Sequence, residues 1–454
     1  MKKLRVFIAC LACRAIKAAL HLLGRGGTAI PGKVALKICP DLLSVLGKNV
    51  DSVVVTGTNG KSTTVGMLRH MLEAAGIPYL SNRTGANLTG GITAEYILNA
   101  DLFGRPKART AVIECDEGNF PAVTKALQPK ALVLTNLFRD QLDRYGDIGH
   151  TRDYLKRGVE ASPSSVVCLN ADCALSGSIG AETENPHIYF GVECVSSDRP
   201  FDPAEGFDCP ECGVTFEYSR HVYAHLGDWV CPSCGKRRHK PDMAVTAFEP
   251  FEGGSRITLD TPDGELSFVL ALPALYNAYN SIAALSAAGA MGWDVTACAE
   301  SLAKFGAVFG RMETLQVGDV PVQIILVKNP AGFDRALEYL AVCSDERFPI
   351  LGLNDNTGDG KDISWINDVH MEAHFAAHHY ERIGVFGTRA DDLAERLKAA
   401  GVPESSIVNF RNIDELAGAV QSSAVPVSIL PNYTAMLSVR DKVSALAGGG
   451  KFWQ

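Results

Sequence analysis

At 454 residues the chain is long enough for two or three domains and a large buried core. A net charge of −8 argues against a general nucleic-acid binder. Thirteen cysteines, mostly scattered, argue against a disulfide framework and for a reducing, cytoplasmic setting.

The charge is uneven along the chain. Residues 1–40 hold eight Lys/Arg and no Asp or Glu, so the remainder sums to −16. Leu4, Ile8, Leu11 and Ala15 recur at helical spacing, with Arg14, Lys17 and His21 on another face. This predicts a helix within a basic N-terminal segment, residues 1–48. Packing on the protein is the plain expectation, and contact with an anionic inner membrane face the alternative. The apolar run Val6 to Cys13 is too short to span a bilayer, and no convincing signal-peptide cleavage site follows.

From Val50 strands and helices alternate. "DSVVVTG" (51–57), "TAVIECDE" (110–117), "KALVLTN" (130–136), "SSVVCLNAD" (164–172) and "HIYFG" (187–191) read as buried strands of a parallel sheet. In "VVVTGTNGKSTT" (53–64) a glycine-rich turn joins the first strand to a helix from Lys61. Backbone N–H groups of such a turn and the positive helix end cradle phosphates. Thr58, Asn59, Gly60, Lys61, Ser62 and Thr63 are therefore the candidate ATP-binding residues. Lys61 is expected on the β/γ-phosphates and Ser62 or Thr63 on Mg²⁺. The general motif wants a glycine where Val55 stands, so the glycine spacing here is shorter.

Residues 197–240 differ in composition and read as an insert. "CPECG" (209–213) and "CPSCG" (231–235) give C-x₂-C-x₁₈-C-x₂-C. Cys209, Cys212, Cys231 and Cys234 are thus expected to hold a structural Zn²⁺ in a closed Cys₄ shell. "CGKRRHK" (234–240) raises nucleic-acid binding as a rival role, which the acidic surroundings oppose. His221, His225 and His239 are expected at the surface, since four cysteines suffice. A hairpin over 257–272 and an alanine-rich helix from Asn277 to Met291 follow.

A second α/β stretch has candidate strands at 320–327, 348–353, 382–387 and 425–430. Between the second and third lies "NDNTGDGKDISWIND" (354–368), with four aspartates. Asp355, Thr357, Asp359 and Gly360 imitate the start of a calcium loop, but Ile366 stands where a bidentate Glu is required. A solvated acidic loop is the plain alternative.

"TGTNGKST" resembles the Mur ligases and folylpolyglutamate synthases, which join an amine to a carboxylate with ATP. Further stretches agree in order. "IECDE" (113–117) matches the place of a metal-binding acid, which implies Glu114 as a Mg²⁺ ligand. "LTNLFRDQLDRYGD" (134–147) is similar to an Asn-x-x-x-Asp-His-Leu-Asp segment, with Gln141 in place of the histidine. "ALYNAYNSIAALSAA" (274–288) implies Asn277 and Asn280 at the nucleotide. "FGRMETL" (309–315) implies Arg311 at ATP.

Fewer than sixty residues precede the phosphate loop, where ligases acting on uridine-nucleotide precursors carry a whole domain. With the Cys₄ insert, the aspartate loop, "LLGRGGTAIPGKVALKICPDLL" (22–43) and "LPNYTAMLSVR" (430–440), the chain resembles the MurT family, Mur-ligase-like subunits of lipid II isoglutaminyl synthase. The resemblance implies an α/β protein: a central ATPase domain over 49–310 with the ribbon inserted, and a second α/β domain over 311–454. It implies amidation of D-Glu in lipid II, with ammonia from a GatD-like glutamine amidotransferase. It further implies that an aspartate of the acidic loop completes the partner's Cys-His triad: Asp362 first, then Asp355 and Asp359. Rival readings are a folylpolyglutamate-type ligase, an ATP-dependent zinc-ribbon nucleic-acid binder and an inactive scaffold.

Overall fold

The computed structural model describes residues 2–22, 29–82, 86–138, 148–194, 206–251, 253–306, 311–343 and 346–448. The chain divides into two compact units, the first mainly Met1 to Phe305 and the second mainly Gly306 to Gln454.

Three helices open the first unit: α1 (Lys2–Leu22), α2 (Ala29–Ile38) and α3 (Leu42–Gly47). The expected N-terminal helix forms, but with its faces exchanged. Val6, Ala9, Cys10 and Cys13 are buried, whereas Leu4, Ile8, Leu11 and Ala15 face outward. Small side chains decide this, because they admit close packing on α2 and on α5 (Thr89–Leu98). Arg14 donates to the carbonyls of Ile97 and Ala100, and Lys17 pairs with Glu95 at 3.3 Å.

The large sheet contains β1 (Asp51–Thr56), β2 (Tyr79–Ser81), β3 (Thr110–Glu114), β4 (Ala131–Leu134), β5 (Val166–Asn170) and β6 (His187–Val192). With β9 (Met243–Phe251), β10 (Gly254–Thr261) and β11 (Gly264–Leu270) its order is β11-β10-β9-β6-β5-β4-β1-β3-β2. From β9 to β2 every pair is parallel. Strands covered on both faces need continuous apolar runs, and Val53 to Val55 and Ala131 to Leu134 are fully buried. The chain leaves β1 through the glycine turn into α4 (Lys61–Ala74). At its carboxyl end β1 lies between β3 and β4, with Val55 opposite Glu114 and Thr56 opposite Leu134. Open α/β sheets bind ligands at such carboxyl ends. The sequence pattern missed β2, which is too short to show alternation.

Between β6 and β9, β7 (Glu217–Tyr223) and β8 (Leu226–Val230) form an antiparallel ribbon flanked by the two Cys pairs. Helix α6 (Leu275–Met291) is buried along most of its length.

The second unit has a six-stranded sheet. Its strands are β12 (Arg311–Val317), β13 (Val320–Ile325), β14 (Phe348–Gly352), β15 (Ile383–Phe386), β16 (Ile407–Asn409) and β17 (Val427–Pro431). The order is β12-β13-β17-β14-β15-β16, parallel except for the edge pair β12–β13. Val322, Ile324, Phe348, Ile350, Val427 and Ile429 form its core. Helix α7 (Tyr433–Leu446) follows β17 and packs Met436, Val439 and Val443 on this core. The edge strands β12 and β16 escaped the sequence pattern because edges need no long apolar run.

Candidate functional site

Two glycines shape the phosphate turn. Gly57 has φ +121° and Gly60 φ +86°, a region that side chains rarely adopt. A Cβ on Gly60 would stand 2.1 Å from Asn280 Oδ1, so glycine lets α6 approach the turn. Asn280 Nδ2 in turn donates to Asn277 Oδ1 at 3.3 Å. Thus Asn280, far away in sequence, lies against the turn with Asn277 bonded behind it, and both are buried.

The other wall comes from the end of β4. Asn136 O accepts from Thr58 N at 2.8 Å, and Asn136 Oδ1 from Asn59 N at 2.9 Å. Thr135 Oγ1 donates to Asn59 O at 2.7 Å, and Phe138 N to Thr58 Oγ1 at 3.0 Å. The turn is therefore held in shape by its neighbours as well as by its own glycines. Thr63 is buried in the first turn of α4.

Lys61 Nζ makes an ion pair of 2.7 Å with Glu117 and also donates to the Gly57 carbonyl. Glu117 was not singled out from the sequence. Its one signal was a place three residues after Glu114 in "IECDE". Ser62 Oγ donates to Glu114 Oε2 at 2.7 Å, and Asn87 Nδ2 reaches Glu114 Oε1 at 3.4 Å. Asn82 fixes the Glu114 backbone from both sides, accepting from its N–H at 2.9 Å and donating to its carbonyl at 2.8 Å. Two oxygens on one octahedral Mg²⁺ stand about 2.9 Å apart, so the Ser62–Glu114 pair has the spacing and the hard-oxygen chemistry for that ion.

Arg311 opens β12 in the second unit, and its side chain lies outside the described residues. Gln141, with residues 139–147, also lies outside them.

In the ribbon, Cys209, Cys212, Cys231 and Cys234 bring their sulfurs within 4.8 Å of one another. Sulfurs on a tetrahedral Zn²⁺ stand about 3.8 Å apart, and two pairs here are at 3.4 and 3.6 Å. Gly213 and Gly235, at φ +69° and +75°, turn the chain after each pair. Cys234 N donates to Cys231 Sγ at 3.5 Å, a bond that favours the thiolate form a metal needs. The cluster thus suits a metal ion.

Two of the basic residues beside it are paired with carboxylates. Lys236 pairs with Glu182 and Glu211, and Arg238 with Asp172, Glu193 and Asp228. Asp172 is fully buried and also accepts from Tyr279 Oη of α6 at 2.6 Å and Val192 N at 2.8 Å. Burial pushes its carboxyl up, and the Arg238 guanidinium opposes this. His225 corrects the surface expectation. It is 2% exposed, wedged between Phe138 and Phe207 with ring centroids 4.5 Å away on each side.

In the second unit the three candidate aspartates part company. Asp355 accepts from Thr388 Oγ1 at 2.8 Å and Arg389 Nε at 3.0 Å, and the Thr388 bond leads in holding its carboxyl below the usual range. Asp359 Oδ1 accepts from Thr434 N at 2.8 Å, and its other oxygen from the Thr434 hydroxyl, so it caps α7. Asp362 is exposed and turned toward the short helical turn Ser364–Asp368, accepting from Ser364 N at 2.9 Å. These bonds with Ser364 hold it low, hence ionised.

Comparison with known proteins agrees with this geometry. Residues 55–198 match the Mur ligase middle domain family, and residues 326–436 the MurT ligase C-terminal family. The fold is that of MurF from Acinetobacter baumannii (TM-score 0.67, 18% identity, 91% of this chain and 79% of that one). It is also that of Mycobacterium tuberculosis folylpolyglutamate synthase (TM-score 0.60, 15% identity, 90% and 94%). Fold and phosphate site together define a Mur-type, ATP-dependent ligase.

The full-length relatives narrow this. The MurT subunit of the glutamine-hydrolysing lipid II isoglutaminyl synthase of Streptococcus pneumoniae is 32% identical over 97% of this chain and 98% of its own. That of Staphylococcus aureus is 31% identical over 95% and 96%. The chain belongs to the MurT family.

Proposed function

We propose that this chain amidates the α-carboxylate of D-Glu in the lipid II stem peptide, giving D-isoglutamine. The carrying observation is the full-length likeness to two MurT subunits, joined to a phosphate turn whose lysine, hydroxyl and carboxylate converge. A carboxylate is a poor acyl donor because its oxygen leaves badly. One carboxylate oxygen attacks the γ-phosphorus of ATP, ADP departs, and an acyl phosphate forms. Ammonia then attacks the carbonyl carbon, phosphate leaves and a proton is lost. Lys61 balances charge on the transferring phosphoryl group. Ser62 and Glu114 are the residues that would hold Mg²⁺, which supplies further charge neutralisation, and Asn277 and Asn280 border the nucleotide. Arg311 is proposed at ATP on the family likeness alone. In the ribbon, the four cysteines would hold Zn²⁺ as a structural ion.

The ammonia is proposed to come from a GatD-like glutaminase partner. Asp362 is the favoured residue to orient that partner's catalytic histidine. It is exposed, whereas Asp355 and Asp359 are tied to Thr388, Arg389 and Thr434. Such a complex works where lipid II presents its stem peptide, at the cytoplasmic face of the membrane. The ribbon's ion pairs speak against the nucleic-acid reading, since Lys236 and Arg238 already face carboxylates.

The test combines the purified chain with a GatD-like partner, lipid II, ATP and glutamine, and follows amidation by mass spectrometry. Amidation with ADP formation that requires Lys61 is expected. Amidation without ATP would sink the proposal.

A further inference from the structure

Helix α1 is apolar on two opposite faces. One face is buried through Val6, Ala9, Cys10 and Cys13. At 100° per residue, Leu4, Ile8, Leu11, Ala15, Ala18 and Leu22 form a stripe on the other side. All six are exposed, Leu4 at 62%, Leu11 at 50% and Leu22 at 87%. Phe103 lies at the edge of this stripe, 68% exposed, with its ring 5.8 Å from that of Phe7. A helix packed only on its own protein has no need of this second apolar face.

The charge around the stripe selects its occupant. Lys3 and Arg5 flank it on opposite sides and are exposed, as are Lys33 and Lys37 of α2. No Asp or Glu occurs in residues 1–40, and Asp41, the first acid after them, is paired with Lys2 at 2.6 Å, which leaves Lys3 and Arg5 as the cations beside the stripe. A second copy docked here would set one basic rim against another. A bilayer with anionic headgroups accepts both the apolar stripe and the basic rim. No described helix is long and apolar enough to cross a membrane, so α1 fits lying in the interface.

The position is useful. Arg14 and Lys17 of α1 grip the C-terminal half of α5. That ten-residue helix begins two residues after Asn87, which donates to Glu114. The inner face of α1 at Arg14 and Lys17 therefore lies about one short helix, roughly 15 Å of rise, from the Asn87 end of α5, with the stripe on the outer face beyond it.

We infer that α1 docks the protein on an anionic membrane surface through Leu4, Ile8, Leu11 and Leu22, with Lys3 and Arg5 meeting the headgroups. This stands on the helix and goes beyond the proposed reaction, which could proceed in detergent without it.

The test is sedimentation of the full chain with phosphatidylglycerol-containing vesicles and with pure phosphatidylcholine vesicles, without substrate. Binding to the anionic vesicles that weakens with salt is expected. The triple variant Leu4→Glu, Ile8→Glu, Leu11→Glu should lose at least about tenfold in partitioning, with ATP affinity unchanged as the control of folding. Lys3→Glu with Arg5→Glu should reduce the preference for anionic over neutral vesicles. No binding of the wild type at low salt, or equal binding by the triple variant, would overturn the inference. So would a dimer, seen by light scattering, that the triple variant dissolves. Amidation in detergent separates this from the reaction: its failure strikes the proposed function and leaves docking standing.

Discussion

The phosphate turn and the aspartate loop are both short, polar and built between a strand and a helix, yet they differ in where their bonds go. Around the turn, each reactive group faces another group of the same site: Lys61 faces Glu117, and Ser62 faces Glu114. In the aspartate loop, two carboxylates are spent tying the loop to neighbouring segments of the second unit, and Asp362 stands exposed. A closed set of partners suits chemistry done within one chain. An exposed, ionised carboxylate suits chemistry shared with another.

The sharpest way to break this comparison is Asp362→Asn. If Asp362 orients a histidine of the partner, glutaminase activity should fall by up to about 10⁴-fold, as for other triad aspartates. ATP affinity, read by calorimetry, should not change. Full glutaminase activity would shift the role to another aspartate. Lys61→Ala comes next, with ADP formation expected to fall about 10²–10³-fold while the partner's own glutaminase is retained. A loss of both together would show that the two regions are not separable.

Arg238→Met strips buried Asp172 of the guanidinium bonded to it. Breaking a buried pair from one side costs about 3–5 kcal/mol, to be read as a lower urea midpoint of the first unit. Asp359→Asn is the mildest. Weakening the α7 cap should cost about 0.5–2 kcal/mol in the unfolding of the second unit, with glutaminase activity near wild type. A large glutaminase loss in this variant would reverse the assignment of Asp359 and Asp362.

The phosphate turn was legible because its residues are contiguous and flanked by a strand and a helix whose patterns are plain. The Cys₄ cluster was legible for the same reason, since ligand spacing is local. Tertiary bonds were not. Nothing in "NDNTGDGKDISWIND" tells which aspartate is occupied, because Thr434 lies 75 residues from Asp359 and Thr388 lies 33 from Asp355. Glu117 is likewise chosen by its closeness to Lys61, 56 residues away. The outward turn of Leu4, Ile8 and Leu11 was hidden because both faces of α1 are apolar. Only the small size of Ala9, Cys10 and Cys13 marks the inner one.

His225 carries a last consequence. It sits in the ribbon, yet its ring abuts Phe138, whose N–H holds Thr58 of the phosphate turn, while Asp172 ties Arg238 of the ribbon to Tyr279 of the helix bearing Asn280. The ribbon thus behaves as a keystone between two walls of the nucleotide site. If the four cysteines hold the proposed Zn²⁺, a zinc-selective chelator that leaves Mg²⁺ in place should weaken ATP binding before the rest of the first unit melts. Excising residues 206–240 would remove a structural support rather than an ornament, so a shortened chain would lose its grip on ATP along with its cysteines.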